Sequence, residues 1–266
     1  MSTEGHFAVP LRPTATIPVG TAGILPTDAA ALIRQRLGPI LGPLAAHSRV
    51  RLTRLPEPGL LRPLVAQADV QLAGDRRVRA QVAAATMSEL VGLLATRTIG
   101  QLHTYPGALA ECLRERVIPP APPSPPELLP PSVRRVARHK VCQQMAMTAA
   151  EAIVALEAMD YRFHLFRERY SRQDSIVIRS GPGSYRIIQA RPNPIGLDVT
   201  SPPIVLAQSE RRSVATARSR LDLTGAPVEI FTDKATGLLT ALYARYDGHY
   251  GILCAEAAVK SARGSW

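Results

Sequence analysis

A run of proline between residues 119 and 131 divides this chain more sharply than any other feature. Eight of those thirteen residues are prolines. Because proline lacks a backbone N–H and fixes φ, such a stretch fits neither a helix nor a sheet interior and favours extended polyproline II. We therefore expect a semi-rigid spacer over 106–135, with separate folded units on either side. The alternative reading is a proline-rich ligand for an SH3-type partner.

A second break, at 192–203 (PNPIGLDVTSPP), divides the part of the chain that follows the spacer. Three folded units are therefore expected, at 12–105, 136–191 and 204–260. Hydrophobic residues make up 46% of the 266 residues and charged residues 20%, so general disorder is excluded and each unit can form a core.

Apolar periodicity in the first unit predicts the order β-α-β-β-β-α, which builds one sheet with two helices on one face. Thr27 or Asp28 can cap the first helix. Pro39 and Pro43 should end or kink that helix near Leu37. The predicted strands lie at 14–19, 48–55, 64–72 and 76–83, and the second helix lies at 87–103.

Arginines share the outer face of this predicted sheet, because they alternate with apolar residues on two strands: Arg49, Arg51, Arg77 and Arg79. The chain carries 29 Arg and 3 Lys, with a net charge of +11, which indicates a polyanionic partner, either nucleic acid or an anionic membrane. Arginine binds phosphate through two parallel hydrogen bonds. The alternative is that the arginines only solvate the sheet and that their number reflects a GC-rich genome. We expect a face that contacts phosphates, with five further arginines assisting: Arg34, Arg36, Arg54, Arg76 and Arg97.

The sequence shows no sign of a catalytic site or of a membrane span. The three cysteines, Cys112, Cys142 and Cys254, are far apart and form no CxxC pair, which argues against zinc or a disulfide scaffold. No apolar run reaches the roughly 18 residues of a membrane helix, and no phosphate-loop, HExxH or GxSxG motif is present. We therefore expect a cytoplasmic protein with no catalytic residues, metal or cofactor.

The last two units repeat each other at an offset of 65 residues. Phe166 matches Phe231 and Tyr185 matches Tyr250, within a stretch that aligns without a gap. We call these units copy 1 (136–191) and copy 2 (204–260). The sequence of each copy predicts one helix followed by three strands.

A module of about 55 residues is marginally stable alone. The short link between the copies makes their pairing intramolecular, so we expect a pseudo-dimer within a monomeric chain. The expected fold class is α+β, with the N-terminal β-α-β-β-β-α domain, the proline-rich linker and two tandem small α/β modules. The candidate pairing residues are aromatic: Phe166, Tyr185, Phe231, Tyr243 and Tyr250.

Four stretches of the repeat resemble a known family. Residues 147–152 (MTAAEA) and 159–166 (MDYRFHLF) resemble the start of the C-terminal domain of long ribosome hibernation-promoting factors, also called the sigma-54 modulation or ribosome-associated inhibitor type. Residues 231–237 (FTDKATG) and 243–253 (YARYDGHYGIL) resemble its end. The layout is similar to that of mycobacterial, hypoxia-induced members, in which the tail module is doubled. The N-terminal element order is also that of the family's ribosome-binding domain.

The resemblance implies a factor of stressed or dormant bacteria that binds idle 70S ribosomes. Its N-terminal domain would lie in the mRNA and tRNA channel of the small subunit and block translation, with 16S rRNA and small-subunit proteins as partners. In typical members the tail modules of two molecules pair and join two ribosomes as a 100S dimer. With both copies on one chain, the expectation here is inactive 70S particles.

Two other classes of protein stay open at this point. One is a transcription-side or signalling protein that acts like a sigma-factor modulator, and the other is a small enzyme. A hibernation factor sediments with ribosomes, whereas proteins of the other two classes stay at the top of the gradient.

Overall fold

The computed structural model describes residues 16–74, 76–103, 126–197 and 202–256. It confirms the expected fold class: an α+β chain with an N-terminal domain followed by two tandem β-rich modules. Most of the proline-rich spacer lies outside the described residues. None of the helices in these ranges could span a bilayer.

The N-terminal domain has the expected element order. Its elements are β1 (Val19–Ala22), α1 (Ala29–Leu41), β2 (Ser48–Arg54), β3 (Leu64–Gln71), β4 (Arg77–Ala84) and α2 (Met87–Leu102). The strand order is β1-β2-β3-β4, with β1 parallel to β2 and the other neighbours antiparallel. Both helices pack on one face, where Leu37, Leu90 and Leu94 form a core with the strand residues.

The strands follow the period-two burial that their sequences predict. On β2, Val50 and Leu52 are fully buried, while Arg49 and Arg51 are exposed. The other face of the sheet therefore carries polar side chains with no helix over them. This arrangement is what makes the arginine-bearing face available as a candidate site.

The helix α1 runs past the predicted end near Leu37. Pro39 removes one helical hydrogen bond, at a cost of about 3 kcal/mol, but Ile40 and Leu41 behind it are buried in the core. Burying two such side chains stabilises the fold by about 1.5–3 kcal/mol each. The helix therefore continues to its end at Leu41, and a 3₁₀ turn follows over Gly42–His47.

Two details at the start of the domain also differ from expectation. The strand β1 begins at Val19, where the strand predicted over 14–19 ends, because its register is set by the pairing of Val19 with Val50. Asp28 is the N-cap residue of α1, but its side chain makes no capping hydrogen bond. Residues 14 and 15 lie outside the described part of the chain.

The C-terminal half contains two sheets of the same design. The first group of elements is β5 (Val136–Cys142), β6 (Ala146–Met147), α3 (Ala149–Ala158), β7 (Phe163–Glu168), β8 (Asp174–Gly181) and β9 (Ser184–Gln189). The second group is β10 (Ile204–Gln208), β11 (Arg211–Arg212), α4 (Val214–Thr224), β12 (Val228–Asp233), β13 (Leu239–Ala244) and β14 (Tyr250–Ala255).

Matching residues of the two copies make matching local contacts. Thr148 caps α3 by accepting a hydrogen bond from the backbone N–H of Glu151, and 65 residues later Ser213 caps α4 in the same way. The Tyr185 hydroxyl donates to the Glu157 carboxylate at 3.1 Å, and the hydroxyl of its counterpart Tyr250 donates to a carboxylate on α4. The two copies therefore share hydrogen bonds as well as sequence.

The two copies exchange their first strands. The strand β5 precedes copy 1's helix but pairs in parallel with β14, so it completes the sheet β11-β12-β13-β14-β5. The strand β10 precedes copy 2's helix but pairs in parallel with β9, in the sheet β10-β9-β8-β7-β6. Each sheet is therefore completed by a strand from the other copy's segment.

A hydrophobic layer joins the two sheets. It includes Leu165 and Ile176 from the first sheet with Leu239 and Ala241 from the second, all buried. We call this unit of two sheets and two helices the C-terminal pair. A separate core lies between each sheet and its own helix.

The end of the proline-rich segment packs against copy 2. Leu129 is buried, and its backbone N–H donates to the Gly248 carbonyl at 3.1 Å. Gly248 has a φ of 76°, and a side chain there would meet Leu129 at 2.5 Å. Only glycine satisfies both the left-handed backbone and the close approach.

Candidate nucleic-acid interface

The arginine face consists of Arg49, Arg51, Arg77 and Arg79 on the helix-free side of the N-terminal sheet. Arg49, Arg51 and Arg77 are exposed, and Arg77 donates from Nε to the Gln71 side-chain oxygen at 2.6 Å. Strands β2 and β4 flank β3, so the four guanidinium groups project from two strands on either side of it.

One acidic residue lies within this face, and it is already neutralised. Asp69 on β3 stands opposite both Arg49 and Arg79 in the sheet register. Its Oδ1 accepts a hydrogen bond from Arg79 Nε at 2.6 Å, and its Oδ2 accepts one from Gln67 Nε2 at 2.6 Å. Asp69 therefore compensates Arg79 and leaves the positive charges of Arg49 and Arg51 uncompensated.

Four of the assisting arginines lie on other parts of the domain surface. Arg34 and Arg36 are exposed on α1, behind the sheet, and Arg34 Nε donates to the Ile17 carbonyl at 3.2 Å. Arg54 is exposed at the end of β2, and Arg76 is exposed just before β4. The structure therefore does not gather all the predicted arginines on one surface.

Arg97 was predicted to assist in contacting phosphates, but it is buried and not available on the surface. Its side chain is 9% exposed and forms a salt bridge with the buried Asp160 of copy 1, with Nε 3.1 Å from Oδ1 and 3.2 Å from Oδ2. The sequence pattern could not show this, because the partner lies 63 residues away in a different domain.

Asp160 docks copy 1 onto the edge of the N-terminal sheet. Besides its bond to Arg97, its Oδ2 accepts a hydrogen bond from the backbone N–H of Gln81 on the edge strand β4, at 3.0 Å. Ala158, at the end of α3, belongs to the N-terminal domain's hydrophobic core. The ring of Tyr161 lies 5.9 Å from the Arg79 guanidinium carbon. Helix α3 of copy 1 therefore ends against the N-terminal domain.

Sequence reasoning missed Asp160, although a signal was present. Asp160 follows α3 with a φ of 53°, a left-handed conformation in which glycine is the usual residue. Its counterpart 65 residues later is Gly225, with a φ of 64°. Because the other copy has glycine at this position, the aspartate in copy 1 indicates that its carboxylate makes a specific contact.

The aromatic residues predicted to pair the two copies are mostly used elsewhere. Tyr243 does lie between the copies, with its ring 5.4 Å from the ring of Phe163. The other four face the helix of their own copy and build its separate core: Phe166, Tyr185, Phe231 and Tyr250. Period-two alternation explains the error, because the neighbours Leu165 and Ile230 point the opposite way, into the layer between the sheets.

Nothing in the described ranges resembles a metal centre: no three His, Cys, Asp or Glu side chains come together there in a way that could hold an ion.

Comparison with known proteins finds a family similar to one segment of the chain. The family described as the sigma 54 modulation/S30EA ribosomal protein C terminus matches residues 132–187, which cover β5, β6, α3, β7, β8 and part of β9. A protein of Mycobacterium tuberculosis named "Dormancy associated translation inhibitor", found in two strains, is 35% identical over 135 residues, which is 47% of this chain. The chain spans 50% of the length of these curated relatives.

Proposed function

We propose that the chain is a long ribosome hibernation-promoting factor, which binds the small ribosomal subunit in the mRNA and tRNA channel and inhibits translation. Its binding stabilises idle 70S ribosomes under stress or dormancy. Two findings support the proposal: the family match within copy 1, and the relatives named as translation inhibitors.

The arginine face is the observation that supports binding to ribosomal RNA. Arg49, Arg51 and Arg77 are exposed on one side of a rigid sheet, and the one acid among them, Asp69, is already paired with Arg79. Ribosomal RNA helices are recognised mainly through their shape and phosphate backbone. Several arginines on a rigid surface suit this task, and no base-reading motif is needed.

Salt dependence of binding to purified 30S subunits tests this face. Each lost phosphate contact lowers the slope of log affinity against log salt by about one counterion. We expect the double variant Arg49→Ala/Arg51→Ala to bind more weakly, with a slope reduced by about two. In cell-free translation, a higher concentration of this variant should be needed for the same inhibition.

The matched control removes two exposed arginines from the C-terminal pair, Arg186→Ala/Arg211→Ala. Both side chains are exposed, so the net charge falls by the same amount without touching the arginine face. The control should keep the wild-type salt slope. A double variant of Arg49 and Arg51 whose slope equals that of wild type would show that this face is not the rRNA-binding site.

A further inference from the structure

A cleft separates the arginine face from the C-terminal pair. Its volume is about 680 Å³, within the range of small-molecule sites. One wall is formed by the outer face of the N-terminal sheet, including Arg51 and Gln67, and the other includes Arg138, Lys140 and Arg162 from copy 1's segment. The contact of Asp160 with Arg97 holds the two walls in place.

Both walls of the cleft are positively charged. Arg51 on one wall and Arg138 and Lys140 on the other are exposed and make no side-chain hydrogen bond or salt bridge within the described part of the chain. Arg138 and Lys140 are two residues apart on β5, so they project from the same face of that strand. Like charges that face each other across a cleft repel, and a bound anion removes that repulsion.

The acidic residues that line the cleft do not supply this compensation. Asp160 is bound to Arg97, and Asp247 is bound to Arg245 with an Nε–Oδ2 distance of 3.0 Å. His164 also lines the cleft, and its Nε2 has no hydrogen-bond partner among the residues described. That nitrogen is buried, so what the cleft offers an anion is the three uncompensated cations.

We propose that this cleft binds a polyphosphate group, supplied either by a nucleoside triphosphate or by inorganic polyphosphate. Arginine and lysine from opposite walls would contact separate phosphates, which suits a chain of phosphates better than a single one. The site is distinct in function from the arginine face, but the two share Arg51, so a ligand in the cleft competes with rRNA for that side chain.

Calorimetric titration of the free, full-length protein with sodium tripolyphosphate and with ATP tests the proposal without ribosomes. We expect both to bind, and Arg138→Ala/Lys140→Ala to weaken both about tenfold or more, as expected for the loss of charge-assisted hydrogen bonds. Tighter binding of ATP than of tripolyphosphate would identify a nucleotide as the ligand, and equal binding would identify the phosphate chain alone.

The matched control is Arg211→Ala/Lys234→Ala, which removes the same two charges from exposed positions outside the cleft. It should bind both ligands like wild type. The proposal is overturned if neither ligand binds, if both double variants lose affinity equally, or if a ten-residue single-stranded RNA binds in their place with the same dependence on Arg138 and Lys140. Because no ribosome is present, failure here leaves the result of the 30S experiment unaffected.

Discussion

Asp160 and Arg172 are the two described residues other than glycine with a positive φ, at 53° and 57°. Both have a glycine 65 positions later, Gly225 and Gly237. A left-handed conformation costs a residue with a Cβ atom about 1–2 kcal/mol. Asp160 offsets this cost through its buried salt bridge with Arg97, whereas Arg172 has an exposed side chain without such a bond.

Replacing Asp160 with glycine should release the N-terminal domain from copy 1. Removing one partner of a buried ion pair costs about 3–5 kcal/mol, and relief of backbone strain returns only about 1–2 kcal/mol. We expect Asp160→Gly to enlarge the radius of gyration in small-angle X-ray scattering, because the two halves separate. The control Arg172→Gly relieves the same strain without removing a salt bridge and should leave the radius unchanged. Equal radii for wild type and Asp160→Gly would show that this salt bridge does not hold the halves together.

For single residues, the sequence predicts burial well and the partners of polar side chains poorly. Val50 and Leu52 are buried and Arg49 and Arg51 are exposed, because successive side chains of a strand point to opposite faces of the sheet. The buried state of Arg97 depends on Asp160, which is distant in sequence, and no local pattern encodes that contact.

The exchanged strands are the elements that determine how the C-terminal half is built. The edges of β9 and β14 would offer unpaired backbone groups to other chains, and β10 and β5 cover them. The strand β5 (VARHKVC) is not predicted from the sequence. Nearly all of its side chains are exposed, so no alternation of buried and exposed residues marks it, and its partner β14 lies more than 100 residues away.

Proline substitutions on β10 test the role of its ladder hydrogen bonds. The bonds from Tyr185 N–H to the Pro203 carbonyl and from Ser209 N–H to the Gln189 carbonyl show that odd-numbered residues of β10 face β9. Val205→Pro should therefore remove a ladder bond and lower the free energy of unfolding by about 1–3 kcal/mol in urea titration.

Gln208→Pro provides the control on the same strand. By the same alternation its N–H points away from β9, and its side chain is exposed, as is that of Val205. Gln208→Pro should lower the free energy of unfolding clearly less than Val205→Pro does. Equal losses for the two variants would contradict the assigned pairing of β10 with β9.

In the whole molecule, the two copies form their interface within one chain. The layer between the sheets, from Leu165 and Ile176 to Leu239 and Ala241, is buried, and the exchanged strands tie each sheet to the other copy. The repeat in the sequence predicted this pairing, since a module of about 55 residues needs a partner. The docking of the N-terminal domain on copy 1 could not be predicted, because it depends on one residue, Asp160, that departs from the repeat.

The intramolecular pairing gives the proposed function a specific consequence for ribosome assembly. The edges of β9 and β14 are already paired with β10 and β5 of the same chain, so a second molecule would have to displace one of these strands. Pairing within one chain also proceeds at the millimolar effective concentrations of short links, well above the concentrations of separate chains. Ribosomes bound by this protein should therefore stay single.

Sucrose-gradient sedimentation of purified 70S ribosomes mixed with an excess of the full-length protein tests ribosome binding and intramolecular pairing together. We predict that the protein sediments in the 70S peak, that these ribosomes are inactive in translation, and that no 100S peak forms. Protein that stays at the top of the gradient would show that it does not bind ribosomes, and a 100S peak that requires residues 136–266 would rule out exclusive pairing within one chain.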